Sequence, residues 1–306
     1  MISILIPTYN YVALPLAESL SRQAQALDVP CEIIVADDAS TLENCRQDNQ
    51  RIGTLPHCTY IGLKTNIGRA SIRNRLADEA KGKWLLFLDC DGMPVDNLFL
   101  KHYQQAIANW PEADIICGGI VHPKELPASN MSLRYTYEKA AEKHHTATKR
   151  NERPYASFRT FNFMIRREAF MQVRFDETFR HYGYEDVLFG IQLRAKGFRI
   201  SHIDNPLENK DIETNDIFLK KTEEALRTLD THADKLGDSV HLHHLHHRLQ
   251  SMGLTPLVRK LFQWLAPTLQ RNLLGDTPNL TCFAFYKLGY YALLRKGKEQ
   301  KIAGPS

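Results

Sequence analysis

Two aspartates spaced two apart, Asp89 and Asp91 in Leu88-Asp-Cys-Asp-Gly92, follow directly on the apolar run Trp84–Leu88. Side chains at i and i+2 of an extended segment share a face. Two carboxylates so placed can grip a hard divalent cation, Mg2+ or Mn2+, which prefers oxygen ligands and bridges to phosphates. The competing reading is a solvated turn, since Asp and Gly are ordinary turn formers. Asp37-Asp38 ends a second apolar run, Glu32–Ala36. Adjacent acids repel, so they need a cation, hydrogen-bond donors or solvent; a cap or turn is the plain alternative. Tyr9 could offer an aromatic face to a base, and a carboxylate at Asp38 could accept its N–H. In Asn66-Ile-Gly-Arg-Ala-Ser-Ile-Arg-Asn-Arg75, Arg69 and Arg73 share a helix face near its N-terminus, where guanidinium groups and the macrodipole favour a phosphate; a solvated basic face is the alternative. Glu185 and Asp186 in Gly183-Tyr-Glu-Asp186 precede a helical pattern. They are either helix-terminal partners or the carboxylate that takes a proton from an attacking hydroxyl. His243 and His247, in His241-Leu-His-His-Leu-His-His247, have i, i+4 metal-ligand spacing, but Leu242 and Leu245 mark an apolar stripe and favour an ordinary helix face.

The elements that position these residues alternate. Strands are expected at Ile2–Pro7, Glu32–Ala36, Thr59–Leu63, Trp84–Leu88 and Asp114–Cys117, and helices at Leu14–Ala26, Gly68–Ala80 and Asn97–Asn109. Alternation of this kind implies an α/β fold, a mostly parallel sheet flanked by helices, with ligands outside the carboxyl ends of the strands. Residues 123–160 read as a long loop or frayed helix over the site. From about residue 215 the pattern is helical, with candidates at Ile217–Asp230, Val240–Met252, Pro256–Leu265 and Thr281–Leu294. The division expected is 1–210 for the α/β domain and 211–306 for a helical C-terminal region.

With 43% hydrophobic and 24% charged residues in 306, disordered and collagen-like classes are excluded. A net charge of +4 does not suggest a nucleic-acid partner. The six cysteines show no CxxC pair and read as reduced thiols of a cytoplasmic protein. No apolar run reaches the roughly 18 residues of a membrane span. Between Thr255 and Lys301, eight Lys or Arg face only Asp276 and Glu299, with Leu257, Leu261, Trp264, Phe283, Phe285, Tyr286, Tyr290 and Tyr291 interleaved. That mixture suits a helix resting on an anionic membrane surface, at the inner face of the plasma membrane, or equally a face packed on the protein.

Five motifs occur in order: Ile6-Pro-Thr-Tyr-Asn10, Asp37-Asp-Ala-Ser40, Asn66-x-Gly-x-Ala-x-x-Arg-Asn74, Leu88-Asp-Cys-Asp91 and Gly183-Tyr-Glu-Asp186. Together they resemble the family 2 inverting glycosyltransferases of GT-A fold. The resemblance implies a nucleotide-sugar donor, a UDP-sugar by family lean, bound around Pro7, Tyr9, Asn10, Asp38, Asn66, Arg69, Arg73 and Asp89. It implies a metal at Asp89 and Asp91 of the DxD motif, and a base in the Glu185-Asp186 pair, more often Asp186. Phe158–Arg166 resembles the acceptor-side segment of a bacterial polysaccharide subgroup, placing Asn162, with Tyr184, on the side of a glycan or lipid-linked glycan acceptor. His202-Ile-Asp-Asn-Pro-Leu-Glu-Asn209 resembles that subgroup's closing motif, but Asn209 stands where the subgroup carries a histidine, a candidate metal ligand. Asn209 could ligate through its amide oxygen, His202 could replace the missing group, or the metal could be held less tightly. The function expected is transfer of a hexosyl or N-acetylhexosaminyl group in surface-polysaccharide assembly. The alternative is a nucleotide-sugar-binding or scaffold protein that kept the fold and lost turnover.

Overall fold

A computed structural model of the chain describes residues 1–143 and 145–302, with side chains to residue 296. Strands β1 (Ile2–Thr8), β2 (Cys31–Asp37), β3 (Cys58–Gly62), β4 (Trp84–Leu88), β5 (Gly92–Pro94), β6 (Ile115–Cys117), β7 (Ile120–Val121), β8 (Asn162–Arg166), β9 (Ile200–His202) and β10 (Leu207–Asn209) form two sheets. The larger has the order β3-β2-β1-β4-β8-β6-β9 and is parallel except for β8, which runs antiparallel to both β4 and β6. The smaller has the order β5-β10-β7 and sets Asn209 opposite Gly92.

The near-continuous apolar character of β1 and β4 follows from burial on both faces. Their side chains alternate between two cores with the period of two that a strand dictates. Ile4, Ile6, Leu86 and Leu88 join helices Leu14–Ala24 and Phe99–Asn109 in one core. Leu5, Leu85 and Phe87 join helix Arg69–Glu79 and an aromatic layer in the other. In that layer Phe87 stacks on Phe163 at 5.0 Å between centroids, and Phe175 on Phe189 at 4.3 Å. The chain visits β1, β2 and β3 on one side and then returns to place β4 on the other side of β1. That reversal is a topological switch point, where open α/β sheets form a crevice at the strand ends. Thr8-Tyr9-Asn10 and Asp89-Cys90-Asp91 are the segments that leave β1 and β4 there.

The chain divides into two compact units: Met1–Pro123, Glu142–Arg180 and Phe189–Asp211 in one; Lys124–Ala141, His181–Leu188 and the chain from Ile212 in the other. Two short segments from within residues 1–210 thus group with the C-terminal helices. In the second unit, helices Asn215–Thr231, Thr255–Leu273 and Leu280–Ile302 share a core of Leu219, Phe262, Leu269, Leu273, Phe283 and Tyr286. A Cβ on Gly289 would fall 2.3 Å from the Phe262 ring, so the glycine permits the close crossing.

Two expectations are refined. Residues 123–160, read as a long loop or frayed helix, hold two separate helices, Ser132–Glu142 and Ala147–Glu152, the second capped by the Thr146 hydroxyl accepting the Lys149 N–H. The helix expected at Pro256–Leu265 continues through Pro267 to Leu273, because Leu269 and Leu273 extend its buried stripe. His144 and the side chains of Lys298, Glu299 and Lys301 lie outside the described residues.

Candidate functional site

At the carboxyl ends of β1, β2 and β3, most of the expected donor-binding side chains are spent on holding one another. Asn10 is left-handed at φ 52°, a conformation asparagine tolerates better than most residues. Its N–H donates to Ser40 Oγ at 2.7 Å, and its Oδ1 accepts the N–H groups of Thr41 and Leu42 at 2.7 and 3.1 Å. Asp37 accepts the Ser40 N–H at 2.7 Å and the Tyr60 hydroxyl at 3.0 Å. Asp38 accepts the Ile67 and Gly68 N–H groups at 2.7 and 2.9 Å, and Asn66 Nδ2 donates to the Asp38 carbonyl at 3.1 Å. Burial raises the Asp38 pKa, and the charge of Asp37 adds to this, while the two N–H bonds oppose it. Asn49, which the sequence did not single out, braces the same region: fully buried, it accepts the Ala13 N–H and donates to the Tyr11 carbonyl, each at 2.8 Å. Pro7 lies within β1, and Tyr9 leaves the strand 47% exposed, with its ring open to a ligand.

Across the crevice, Asp89 is fixed by its own backbone and by a buried arginine. Its N–H donates to the Phe161 carbonyl at 3.0 Å, and its Oδ1 accepts Arg73 Nη2 at 2.6 Å. Arg73 is 2% exposed, lies over the Phe175 ring at 5.6 Å and donates to the Arg69 carbonyl at 3.1 Å. The expectation that Arg73 meets a phosphate directly is therefore corrected: it is enclosed and acts on Asp89. Arg69 is the more exposed guanidinium, with Nη2 at 3.9 Å from Asp89 Oδ2. Asp91, the other half of the pair, accepts the Lys210 N–H with its carbonyl at 2.9 Å. Burial first, and the Asp91 charge second, push the Tyr11 hydroxyl up to about 12.

His202 and Asn209, the two candidates for a third ligand, are both buried and hydrogen-bonded within the protein. His202 Nε2 faces the Pro154 carbonyl at 3.0 Å and must donate to it; Nδ1 then accepts from Arg150 Nη1 at 3.1 Å. With both nitrogens engaged, and its pKa pushed down to about 4 chiefly by burial, His202 is a neutral strut. Asn209 is fully buried; its Oδ1 accepts the Asp211 N–H at 3.0 Å, and its Nδ2 has no partner. The Asp211 donor fixes the amide orientation, so Oδ1 is already engaged. Among the described residues no three His, Cys, Asp or Glu side chains converge as a metal site. The histidine run packs instead: His243 Nδ1 meets the Tyr291 hydroxyl at 2.7 Å, and buried His246 lies edge-on to that ring.

Asn162, expected on the acceptor side, is enclosed by the protein. It is 2% exposed, accepts the Tyr103 hydroxyl at 2.7 Å and donates to the carbonyls of Gly119 and Asn205, each at 2.9 Å. These three bonds join β8 to helix Phe99–Asn109 and to the turns after β6 and β9. In the second unit, Gly183 and Tyr184 are both left-handed, at φ 103° and 67°. A Cβ on Gly183 would lie 2.7 Å from Ala225 Cβ. This strained turn delivers Glu185 and Asp186 into the first turn of helix Glu185–Ala195. Glu185 is 8% exposed, and Asp186 Oδ1 accepts the Val187 N–H at 2.8 Å.

A mostly parallel sheet with its polar loops gathered at the switch point, and a carboxylate pair leaving β4, is the architecture of the nucleotide-diphospho-sugar transferases, the GT-A fold. The Glycosyl transferase family 2 model matches residues 3–174, more than half of the chain, and the chain belongs to that family. It is 31% identical over 137 residues to an uncharacterized glycosyltransferase of Haemophilus influenzae (strain ATCC 51907 / DSM 11121 / KW20 / Rd), a match covering 44% of this chain and 42% of that one. The chain thus spans less than half the length of that relative. Among solved structures it is similar to the mannosyltransferase PcManGT from Pyrobaculum calidifontis in complex with GDP-Man and Mn2+ (TM-score 0.57, 15% identity, 97% of this chain and 86% of that one). It is also similar to S. aureus TarS 1–349 in complex with UDP-GlcNAc (TM-score 0.52, 18% identity, 98% and 92%). At these identities the likeness is one of fold.

Proposed function

We propose that this chain is a metal-dependent, inverting glycosyltransferase that moves a hexosyl or N-acetylhexosaminyl group from a nucleotide-sugar, a UDP-sugar by preference, to a hydroxyl of a glycan or lipid-linked glycan. The observation that carries the reading is the pairing of buried Arg73 with Asp89 at the end of β4, which holds a carboxylate at the switch point. The GDP-Man and UDP-GlcNAc in the two structural neighbours support a nucleotide-sugar donor, and the Mn2+ in one of them supports a divalent metal.

The donor set fits such a metal in kind: Asp89 Oδ2 and the Asp91 carboxylate are hard oxygens, with Arg73 occupying Asp89 Oδ1. Asp89 and Asp91 would hold Mn2+ or Mg2+, which would neutralise charge on a leaving diphosphate. Tyr9 offers its ring to the base. Arg69 lends positive charge beside Asp89. Asp186 takes the proton of the acceptor hydroxyl as its oxygen attacks the anomeric carbon and the nucleoside diphosphate departs with inversion. Glu185, nearly buried, orients the turn. The setting is bacterial surface-polysaccharide assembly at the inner face of the plasma membrane.

A second reading, a binding or scaffold protein with weak or lost turnover, is favoured by one observation: Asn209, buried with its Nδ2 unpartnered, is an amide where the family pattern carries a histidine. A thermal-shift screen of nucleotide-sugars with and without Mn2+ tests donor binding through mass-action stabilisation. Release of nucleoside diphosphate on adding an acceptor tests turnover. Metal-dependent donor binding with release supports the transferase; binding without release under any acceptor supports the scaffold; no binding refutes both.

A further inference from the structure

The aromatic residues of the tail divide sharply by exposure. Phe283, Tyr286 and Tyr291 of the last helix are buried at 2%, 1% and 0%, which settles them as packing. The preceding stretch is the opposite. Met252, Leu254, Leu257, Leu261, Trp264 and Leu274 are all exposed, Trp264 by 76%. Leu257, Leu261 and Trp264 stand at i, i+4 and i+7 of helix Thr255–Leu273, and so lie on one face over about 10 Å of its length. The opposite face, Thr255, Phe262, Leu269 and Leu273, is the one buried in the second unit. The stripe is therefore not the inward side of an amphipathic helix.

Charge identifies what covers it. From Val240 to Gly275 the chain holds no Asp or Glu, while it carries Arg248, Arg259, Lys260 and Arg271. By helical rotation of about 100° per residue, Lys260 and Arg271 fall along one margin of the stripe, and both are exposed. An exposed Trp and Leu stripe with basic residues at its margin, on a helix that holds no acid, is complementary to anionic lipid, whose headgroups meet the cations while the apolar side chains enter the acyl boundary. Among the described residues no helix is long and apolar enough to cross a membrane; this one is built to lie along a surface.

We propose that the Leu257–Leu261–Trp264 face of helix Thr255–Leu273 docks on an anionic lipid bilayer surface, with Lys260 and Arg271 contacting the headgroups. The inference does not depend on which sugar the protein transfers, or on whether it transfers one.

The test uses the full chain with vesicles of phosphatidylcholine alone and of phosphatidylcholine with phosphatidylglycerol. Co-sedimentation with the anionic vesicles is expected at low salt and should fall steeply at high salt. Trp264→Ser with Leu261→Gln is expected to lower partitioning at least tenfold, and Lys260→Gln with Arg271→Gln about fivefold per charge removed. In a Trp110→Phe background, emission should shift to the blue on binding, since Trp84 is only 7% exposed and Trp264 becomes the reporter. Equal recovery in the supernatant under every condition overturns the proposal, as does vesicle binding that the stripe variant leaves unchanged. Concentration-dependent self-association without vesicles, abolished by Trp264→Ser and unaccompanied by lipid binding, would assign the face to a second copy and also overturn it.

Discussion

Replacing Arg73 with methionine isolates the contact on which the β4 end of the crevice depends. The substitution keeps an unbranched side chain over the Phe175 ring but deletes the 2.6 Å bond to Asp89 and the bond to the Arg69 carbonyl. Removing one partner of a buried ion pair destabilises by about 3–5 kcal/mol, because a charge is left uncompensated. The Asp89 side chain retains 19% exposure, so water can reach part of it and the lower end, about 3 kcal/mol, applies. For a chain of this size that lowers the melting temperature by roughly 6 °C. Asp89 also loses its fixed rotamer, and donor affinity should fall at least tenfold, about 1.4 kcal/mol. Arg73→Lys is the control: it restores a charge but not the planar fork that reaches both Asp89 and the Arg69 carbonyl, so it should recover only part of each effect. Calorimetry and a donor-binding titration with saturating Mn2+ read the two quantities separately. An Arg73→Met protein that melts within a degree of wild type and binds donor equally well refutes the reasoning.

Four further outcomes are expected. Asp91→Asn keeps shape and removes an anionic oxygen; folding should persist while turnover falls at least about tenfold, roughly 1.4 kcal/mol, in a nucleoside diphosphate release assay. Asp186→Asn should abolish most turnover with donor affinity nearly unchanged, because the lost group serves the acceptor; isothermal titration beside the release assay checks the split. Asn209→His should tighten Mn2+ binding, since the new imidazole stands where Nδ2 has no partner, and a metal titration with no change would remove Asn209 from the metal's surroundings. His202, pushed down to about 4 by burial, binds its proton less readily folded than unfolded. Its contribution to stability is therefore complete above about pH 6.5, declines as pH falls and is gone below about pH 4, amounting to about 3 kcal/mol. Denaturant unfolding across that window should show the loss, and His202→Gln should flatten it.

The parts of the fold legible in sequence were those that bury enough to leave a pattern. Trp84–Leu88 is a strand with the bounds its apolar run announces, and β1 and β2 match within a residue, because each is covered on both faces; β3, a half-exposed edge strand, also matches within a residue. β5, β7, β9 and β10 are two or three residues long and carry no periodicity to read; they exist because neighbours supply the hydrogen bonds. The motif residues were found by type and spacing, but side-chain commitments are tertiary facts. Nothing local tells that Asn162 meets Tyr103, or that Asp38 closes on the amides of Ile67 and Gly68. Arg150 lies in the span that reads as a long loop or frayed helix, yet its guanidinium donates to carbonyls at Cys117, Gly118 and Ile203 as well as to His202. Burial of a cation by main-chain oxygens leaves no trace in composition.

The stitching at Asn10 bears on how such a protein can be rebuilt. One left-handed asparagine ties the turn after β1 to the turn after β2 through three backbone amides or hydroxyls, and Asp38 ties the second turn to the segment before helix Arg69–Glu79. The three turns therefore form one inheritable cassette. A chimaera that imports only the Thr8–Tyr11 turn from a relative of different donor preference will meet a foreign socket at Ser40–Leu42 and lose its register. One that transplants residues 8–11, 37–42 and 65–69 together carries its own fastenings with it, and is the graft that should fold.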